Sequence, residues 1–300
     1  MSSFIDDPRL PDDVTIAGLR ALAERLAREA GTLVRDGRPE HVEVASTKSS
    51  AVDVVTAMDA ASEALLRRII ATERPHDAIL GEEEGASAGT SGLTWVIDPI
   101  DGTVNYLYGV ASHAISVAVV VGPPDPAGWT VLAGAVHSVV DGRTWTAGLG
   151  AGATLDGRPV TANPAGPLAT SLVGTGFGYD AGRRRHQAQV LVEVLPQVRD
   201  IRRLGSAAID LCLVATGSLD LYYERGLNPW DLAAGALVAH EAGAAVTGLR
   251  GRAAGSEMTV AGAPASASAL AALLEAAGAD SDGAPGESVS PGQRDEEHQR

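Results

Sequence analysis

The chain has 300 residues, 45% of them hydrophobic, enough to bury a large core as one domain or as two closely packed halves. Its formal charge of −15 argues against a nucleic-acid partner, whose phosphates it would repel. No apolar run nears ~20 residues and no basic-then-apolar leader opens the chain, so a soluble cytoplasmic protein without a membrane partner is expected.

Residues 1–12 are polar and proline-containing and are expected to be disordered. From about Val14 to Val34, apolar residues such as Ile16, Leu19, Leu22, Leu26 and Ala30 recur at spacings of three and four, which predicts an amphipathic helix. Lys48 follows, the one lysine among 23 basic residues; its persistence in a chain that otherwise uses arginine marks a need for a compact point charge. A second helix is predicted from about Ala57 to Thr72, through Leu65, Leu66, Ile69 and Ile70. Strand signals then fall at 78–80, 93–97, 113–121, 129–138 and 143–147, between Gly, Pro and Asp turns. Two helices followed by antiparallel strands make residues 13–155 an α+β half.

Residues 156–277 alternate instead. Strand 171–174, helix 181–197, strand 199–203, helix 207–215 and strand 219–224 precede helix 229–242, strands 244–246 and 258–261, and helix 264–277. This is an α/β layer packed beside the first half. The single cysteine, Cys212, lies in the apolar run DLCLVATG; it reads as core and fits a reducing compartment. Residues 278–300 are rich in Gly, Ser, Pro and acids, with six acids against two arginines. They cannot bury enough apolar surface to fold alone, so a disordered tail is expected and a chain ending at Gly278 should behave like the whole.

Four acidic groups recur where elements begin or end. Asp59 closes DVVTAMD at a helix start, and Glu82 and Glu83 in GEEEG follow a short strand. In WVIDPIDGTVNYLYG, Asp98 and Asp101 follow an apolar run that Pro99 and Gly102 are expected to stop. Asp231 sits in the first turn of a helix that Asn228 caps and Pro229 opens. Each acid has an ordinary explanation alone, as a turn residue, a solvated loop or a helix-dipole partner. Together they flank strand ends, where α/β folds build their sites. Hard oxygen ligands without histidine or cysteine suit magnesium and not zinc. Amides at the helix start near Thr103 add an anion cradle, which makes a phosphate-transfer site the better reading.

At these residues the sequence resembles the inositol monophosphatase family of magnesium-dependent, lithium-sensitive sugar phosphatases. The matching segments are KSSAVDVVTAMD, GEEEG, WVIDPIDGTVNY, LGSAAIDLCLVATGSLDLYYE and WDLAAGALVAHEAGA, in the family's order over about 13–277. GTGFGY and RRLGSAAIDLC are most similar to actinobacterial inositol-1-monophosphatases. The resemblance implies a layered α-β-α-β-α sandwich, a homodimer and two or three Mg2+ ions. Glu82, Asp98 and the carbonyl of Ile100 would hold the first ion, Asp98, Asp101 and Asp231 the second, and Glu82 a third through water. Gly102 and Thr103 would give amides to the phosphate. Thr103, oriented by Asp59, would with Glu82 position the attacking water, near Lys48. Gly205, Ala207 and Glu224 fall where the family contacts the substrate alcohol.

The reaction implied is hydrolysis of inositol 1-phosphate by direct attack of a metal-activated water. The same chemistry on histidinol phosphate, fructose 1,6-bisphosphate or a nucleotide 3′-phosphate stays open, since fold and motifs do not fix the alcohol. So does a regulatory or scaffold protein that keeps the fold, although an intact ligand set weighs against it. GRRRH at 182–186 is read as a solvated helix start or a dimer contact, or else as a seat for a second substrate phosphate.

Overall fold

The computed structural model describes residues 14–48 and 53–281; the expectations for residues 1–12 and for most of the acidic tail lie outside them. Thr15 caps α1 (Ile16–Asp36) by accepting a hydrogen bond from the Gly18 amide. A short hairpin, β1 (Ser46–Thr47) with β2 (Val54–Val55), leads to α2 (Ala57–Glu73), which opens with a capping box between Thr56 and Asp59. Then come β3 (Ala78–Gly81), β4 (Gly85–Ser87), β5 (Leu93–Asp101), the six-residue α3 (Thr103–Tyr108), β6 (Ala114–Val121), β7 (Thr130–Ser138), β8 (Thr144–Gly148), β9 (Gly152–Leu155) and β10 (Arg158–Pro159). These strands form an eight-stranded sheet in the order β10-β9-β8-β7-β6-β5-β3-β4, with β3 and β5 as its parallel pair.

The second half runs β11 (Leu172–Thr175), α4 (Ala181–Val194), β12 (Asp200–Arg202), α5 (Ala207–Ala215), β13 (Leu221–Glu224), α6 (Pro229–Glu241), β14 (Ala245–Thr247), β15 (Thr259–Gly262) and α7 (Pro264–Ala276). Its five strands make a mixed sheet, β12-β11-β13-β15-β14.

Side-chain packing stacks these elements into five layers. Leu26, Ala30, Leu66 and Ile70 of α1 and α2 cover one face of the large sheet, against Trp95, Ile97, Ile115 and Val117. Ala208, Cys212, Ala234 and Val238 of α5 and α6 cover the other face. Leu211 and Leu232, on the same two helices, pack against Tyr222 and Ala261 of the small sheet. Val190, Val194, Leu270 and Leu274 of α4 and α7 close its outer face. The order is therefore α-β-α-β-α, as expected. A sheet covered on both faces has no solvated side, and accordingly every residue of β5 and β6 is buried.

The middle layer is thin because its residues are small. A Cβ on Gly235 would lie 3.0 Å from Leu211, and one on Gly134 of β7 would lie 3.0 Å from the Cα of Ala234. The Ala-rich run LAAGALVAHEAGA thus lets α6 press on α5 and on the large sheet together.

Four expectations need correction. The strand predicted to stop at Ile97 continues to Asp101, since Pro99 is absorbed in a bulge. The first half does not end at residue 155. Asp156 and Gly157, both at positive φ, turn a tight hairpin that adds β10 to the large sheet. The helix predicted to reach 197 stops at Val194, and a 3-10 turn follows over Leu195–Gln197, because Pro196 has no amide hydrogen to donate. The folded body also extends to Ser281: Ala279 is buried in the α4–α7 core, and Asp280 pairs with Arg250 at 3.0 Å. A cut after Gly278 removes both contacts. It is expected to lower the melting temperature by a few degrees, the scale of losing ~1 kcal/mol, as a thermal melt of the truncated chain would show.

His137 gives the fold an acid-sensitive point. It is 5% exposed, accepts or donates at Nδ1 to the Thr144 hydroxyl at 2.8 Å, and lies against Gly31 of α1, where a Cβ would stand 2.1 Å from its ring. Burial, with Arg28 and Arg35 adding to it, pushes its pKa down to about 4. Between pH 6.5 and 4 the unfolded chain therefore binds more protons here than the folded one, and this contribution to stability is lost as pH falls. The buried carboxylates described below, raised above their ordinary values, act in the opposite sense. The difference between the native chain and His137→Gln isolates the histidine: their gap in unfolding free energy should narrow by about 2 kcal/mol between pH 7 and pH 4.5. Urea titrations at the two pH values measure it, and a constant gap would refute it.

Candidate active site

The bulge in β5 shapes the site. Asp98 pairs with Ser116 and Asp101 with Ala114, so β5 carries one residue more than β6 across this interval, and both aspartates line one cleft of about 460 Å³. Asp98 Oδ1 accepts the Ile100 amide at 3.0 Å, while its Oδ2 is buried without a hydrogen-bond partner. Asp101 Oδ2 accepts from the Ser206 hydroxyl at 2.6 Å and the Ala208 amide at 2.8 Å, which ties the end of β5 to the start of α5. Asp231 enters from the first turn of α6, held by the Asn228 amide at 2.7 Å. Carboxylate oxygens of Asp98, Asp101 and Asp231 all lie within 4.8 Å of one another.

Such crowding favours protonation. Burial, then the charges of Glu82, Asp101 and Asp231, hold the Asp98 carboxyl well above the ordinary range. Burial and the charges of Glu82 and Asp101 do the same to Asp231. Asp101 reaches about 6 through burial, with Ser206 and the amides of α5 opposing, and Glu82 is pushed up to about 7 by burial against the pull of Lys48. A buried oxygen without a partner, inside a set of mutually repelling hard oxygen donors, is what a divalent cation would satisfy. The residues fit a metal.

All the other predicted positions gather here. Besides the acids, Ile100, Gly102, Thr103, Gly205, Ala207 and Glu224 line the same cleft. Asp59 lies just beneath it and receives the Thr103 hydroxyl at 3.1 Å, which also stands 3.0 Å from the Ile100 carbonyl. Lys48 reaches Glu82 and Glu83, each at 2.8 Å. Gly102 has φ +93, and a Cβ there would meet the carbonyls of Ser112 at 2.9 Å and Gly205 at 3.0 Å. Glu224 accepts the Tyr222 hydroxyl at 2.7 Å and occupies the space that Gly176 leaves bare. Burial pushes its pKa up to about 7. Of GRRRH, Arg183 lines the cleft, with its stem against Gly178.

Sequence reasoning missed several supporting residues. Ser206 and Tyr222 hold Asp101 and Glu224; Ser206 has no short-range signal because its partner is 105 positions away, whereas Tyr222 lies two residues before Glu224 on the same strand face, a spacing that could have marked it. Glu63 is buried on α2 and grips the GEEEG turn; it lies on the same inward helix stripe as Asp59, Leu66 and Ile70, a signal that could have exposed it.

Residues 17–279 match the model of the inositol monophosphatase family. The chain belongs to the inositol monophosphatase family. An inositol-1-monophosphatase of Mycobacterium bovis is 46% identical over 278 residues, covering 86% of this chain and 94% of that protein. The solved structure of Mycobacterium tuberculosis SuhB superposes with a TM-score of 0.74 at 42% identity, over 88% of this chain and 98% of that one. A protein of another name is similar too: the Nus factor SuhB of Pasteurella multocida is 35% identical over 232 residues, 77% of this chain and 85% of that protein.

Proposed function

We propose that this protein hydrolyses inositol 1-phosphate to inositol and phosphate, with two or three Mg2+ ions held by Glu82, Asp98, the Ile100 carbonyl, Asp101 and Asp231. The observation that carries the reading is the set of converging aspartates with an orphaned buried oxygen, in a cleft that Glu224 also lines. Bound there, magnesium would neutralise the acids and supply Lewis-acid activation of water and of the phosphoryl oxygens.

The chain's own residues do the rest. Gly102 and Thr103 offer backbone amides to the phosphate. Asp59 takes the Thr103 proton in a hydrogen bond, which leaves the hydroxyl's lone pairs for the attacking water. Glu82, in the gripped GEEEG turn, would help position that water beside Thr103. Lys48 adds positive charge at the cleft's rim and limits how far the Glu82 pKa climbs. Beside Asp101 and Gly102, Gly205 and Ala207 leave room for the alcohol, and Glu224 offers a carboxyl fixed by Tyr222 to its hydroxyls.

Phosphate release from inositol 1-phosphate, histidinol phosphate, fructose 1,6-bisphosphate, nucleotide 3′-phosphates and an aryl phosphate, each with magnesium, tests the reading; no turnover on any of them would overturn it. Lithium sensitivity, a homodimer and a cytoplasmic location belong to the same proposal, and light scattering on the purified protein tests the second. Glu224→Ala should lower turnover of inositol 1-phosphate at least ~10-fold more than that of the aryl phosphate, whose leaving group makes no polyol hydrogen bonds. Equal losses on both substrates would assign Glu224 to the fold.

A further inference from the structure

Glu63 is 0% exposed, in the middle of α2, and its charge is fully committed. Its Oε2 accepts the Glu83 amide at 2.8 Å and its Oε1 the Glu84 amide at 3.0 Å. Arg67, one helical turn on, donates to Oε1 at 2.8 Å and to the Gly85 carbonyl at 2.6 Å. The carboxylate lies so close to the strand end that a Cβ on Gly81 would stand 2.3 Å from Oε1. Two side chains of one helix therefore grip the GEEEG turn at Gly81, Glu83, Glu84 and Gly85, on both sides of Glu82. Asp59, four residues before Glu63 on the same inward stripe, holds Thr103.

We propose that Glu63, braced by Arg67, is a positioning residue that fixes the Glu82 carboxyl in the cleft, and that α2 thereby sets Glu82 and Thr103 relative to each other as one rigid piece. This rests on the reading of Glu82 as a metal ligand. A flexible turn would have to order its backbone each time a cation bound, whereas a clamped turn offers the carboxyl already in place. Residues that orient a metal ligand from behind typically change metal affinity or activity ~10–100-fold when mutated.

The decisive experiment compares Glu63→Gln, Arg67→Gln, Glu82→Gln and Leu66→Ala in the full chain. Each is titrated with magnesium, following the rise in melting temperature and, separately, the magnesium concentration for half-maximal phosphate release. Glu63→Gln puts an amide nitrogen against a backbone N–H, so its magnesium midpoint should rise at least ~10-fold while turnover at saturating magnesium falls far less. Arg67→Gln should shift the midpoint in the same direction by a smaller factor. Leu66→Ala, which removes core packing from the same helix, should lower the melting temperature without moving the midpoint. An unchanged midpoint in Glu63→Gln, with loss of melting temperature alone, overturns the proposal. Should that variant fail to fold, an unchanged midpoint in Arg67→Gln overturns it equally. An unchanged midpoint in Glu82→Gln instead removes the underlying reading of Glu82, whatever Glu63 does.

Discussion

Asp98→Asn is expected to give a metal-free protein that melts at or above the metal-free native chain, yet no longer responds to magnesium and turns over at least ~10³-fold more slowly. The side chain is wholly buried, and burial together with Glu82, Asp101 and Asp231 holds its carboxyl well above the ordinary range. Asparagine keeps the shape and keeps an oxygen for the Ile100 amide, while it removes a carboxyl that can ionise only against burial and its acidic neighbours. Without metal that is relief. With metal it is the loss of a ligand that the proposed arrangement shares between two ions. Magnesium at 100 times its dissociation constant would add ~2.7 kcal/mol to a native state that alone binds it, and the mutant should forfeit most of this gain. Thermal melts with and without magnesium, together with phosphate release, decide the matter. A mutant that keeps both its magnesium shift and its activity would make Asp98 a turn residue.

Gly102→Ala is expected to be the most damaging single methyl in the site. A residue other than glycine at φ +93 costs roughly 1–2 kcal/mol from its own backbone. The added carbon would also press on two backbone carbonyls, of Ser112 and Gly205, neither of which can swing aside like a side-chain end. The strain can be released by shifting the turn that joins Asp101 to Thr103, and a displacement of ~1 Å in such a position costs ~10²-fold in rate. Turnover should therefore fall by at least that factor, with the melting temperature lowered even in saturating magnesium. Full activity in the mutant would show that neither the turn geometry nor the amides at 102 and 103 contribute to catalysis.

What the sequence made legible was whatever has a short-range signature. The period of α1, the cap-and-proline start of α6 at Asn228-Pro229, and the run of acids at strand ends are local patterns, and the structure keeps them. The end of β5 was misread for an equally local reason. Pro99 stops an isolated strand, but inside a sheet a bulge accommodates it, and the bulge is what lets aspartates three apart line one cleft. Asp156-Gly157 is itself a local hairpin signal, and in the structure it carries the first half on through β10. The residues behind the acids were hidden because they act from elsewhere. Ser206 lies 105 positions beyond Asp101, and Glu63 20 before the amide it holds, so neither follows from a motif. Gly205 and Ala207 stand out only through the family resemblance, since composition and periodicity give no cue to them; the structure places both at the cleft.

The bond between Asp101 and the first turn of α5 has an evolutionary consequence. Asp101 grows from the large sheet, but its shape is dictated by Ser206 and Ala208, and its neighbour Asp231 rides on a helix between the sheets. The acidic cluster, and with it the proposed reaction centre, thus belongs to the seam, and neither half of the chain owns it. Recombination that exchanged one half between diverged relatives would pair an aspartate with a stranger's helix start, and such chimeras should be purged unless the seam travels with them. Variation is then channelled to lining residues outside the seam, such as Glu224 and Arg183, which on the proposed reading would let a lineage try new alcohols without disturbing the acids.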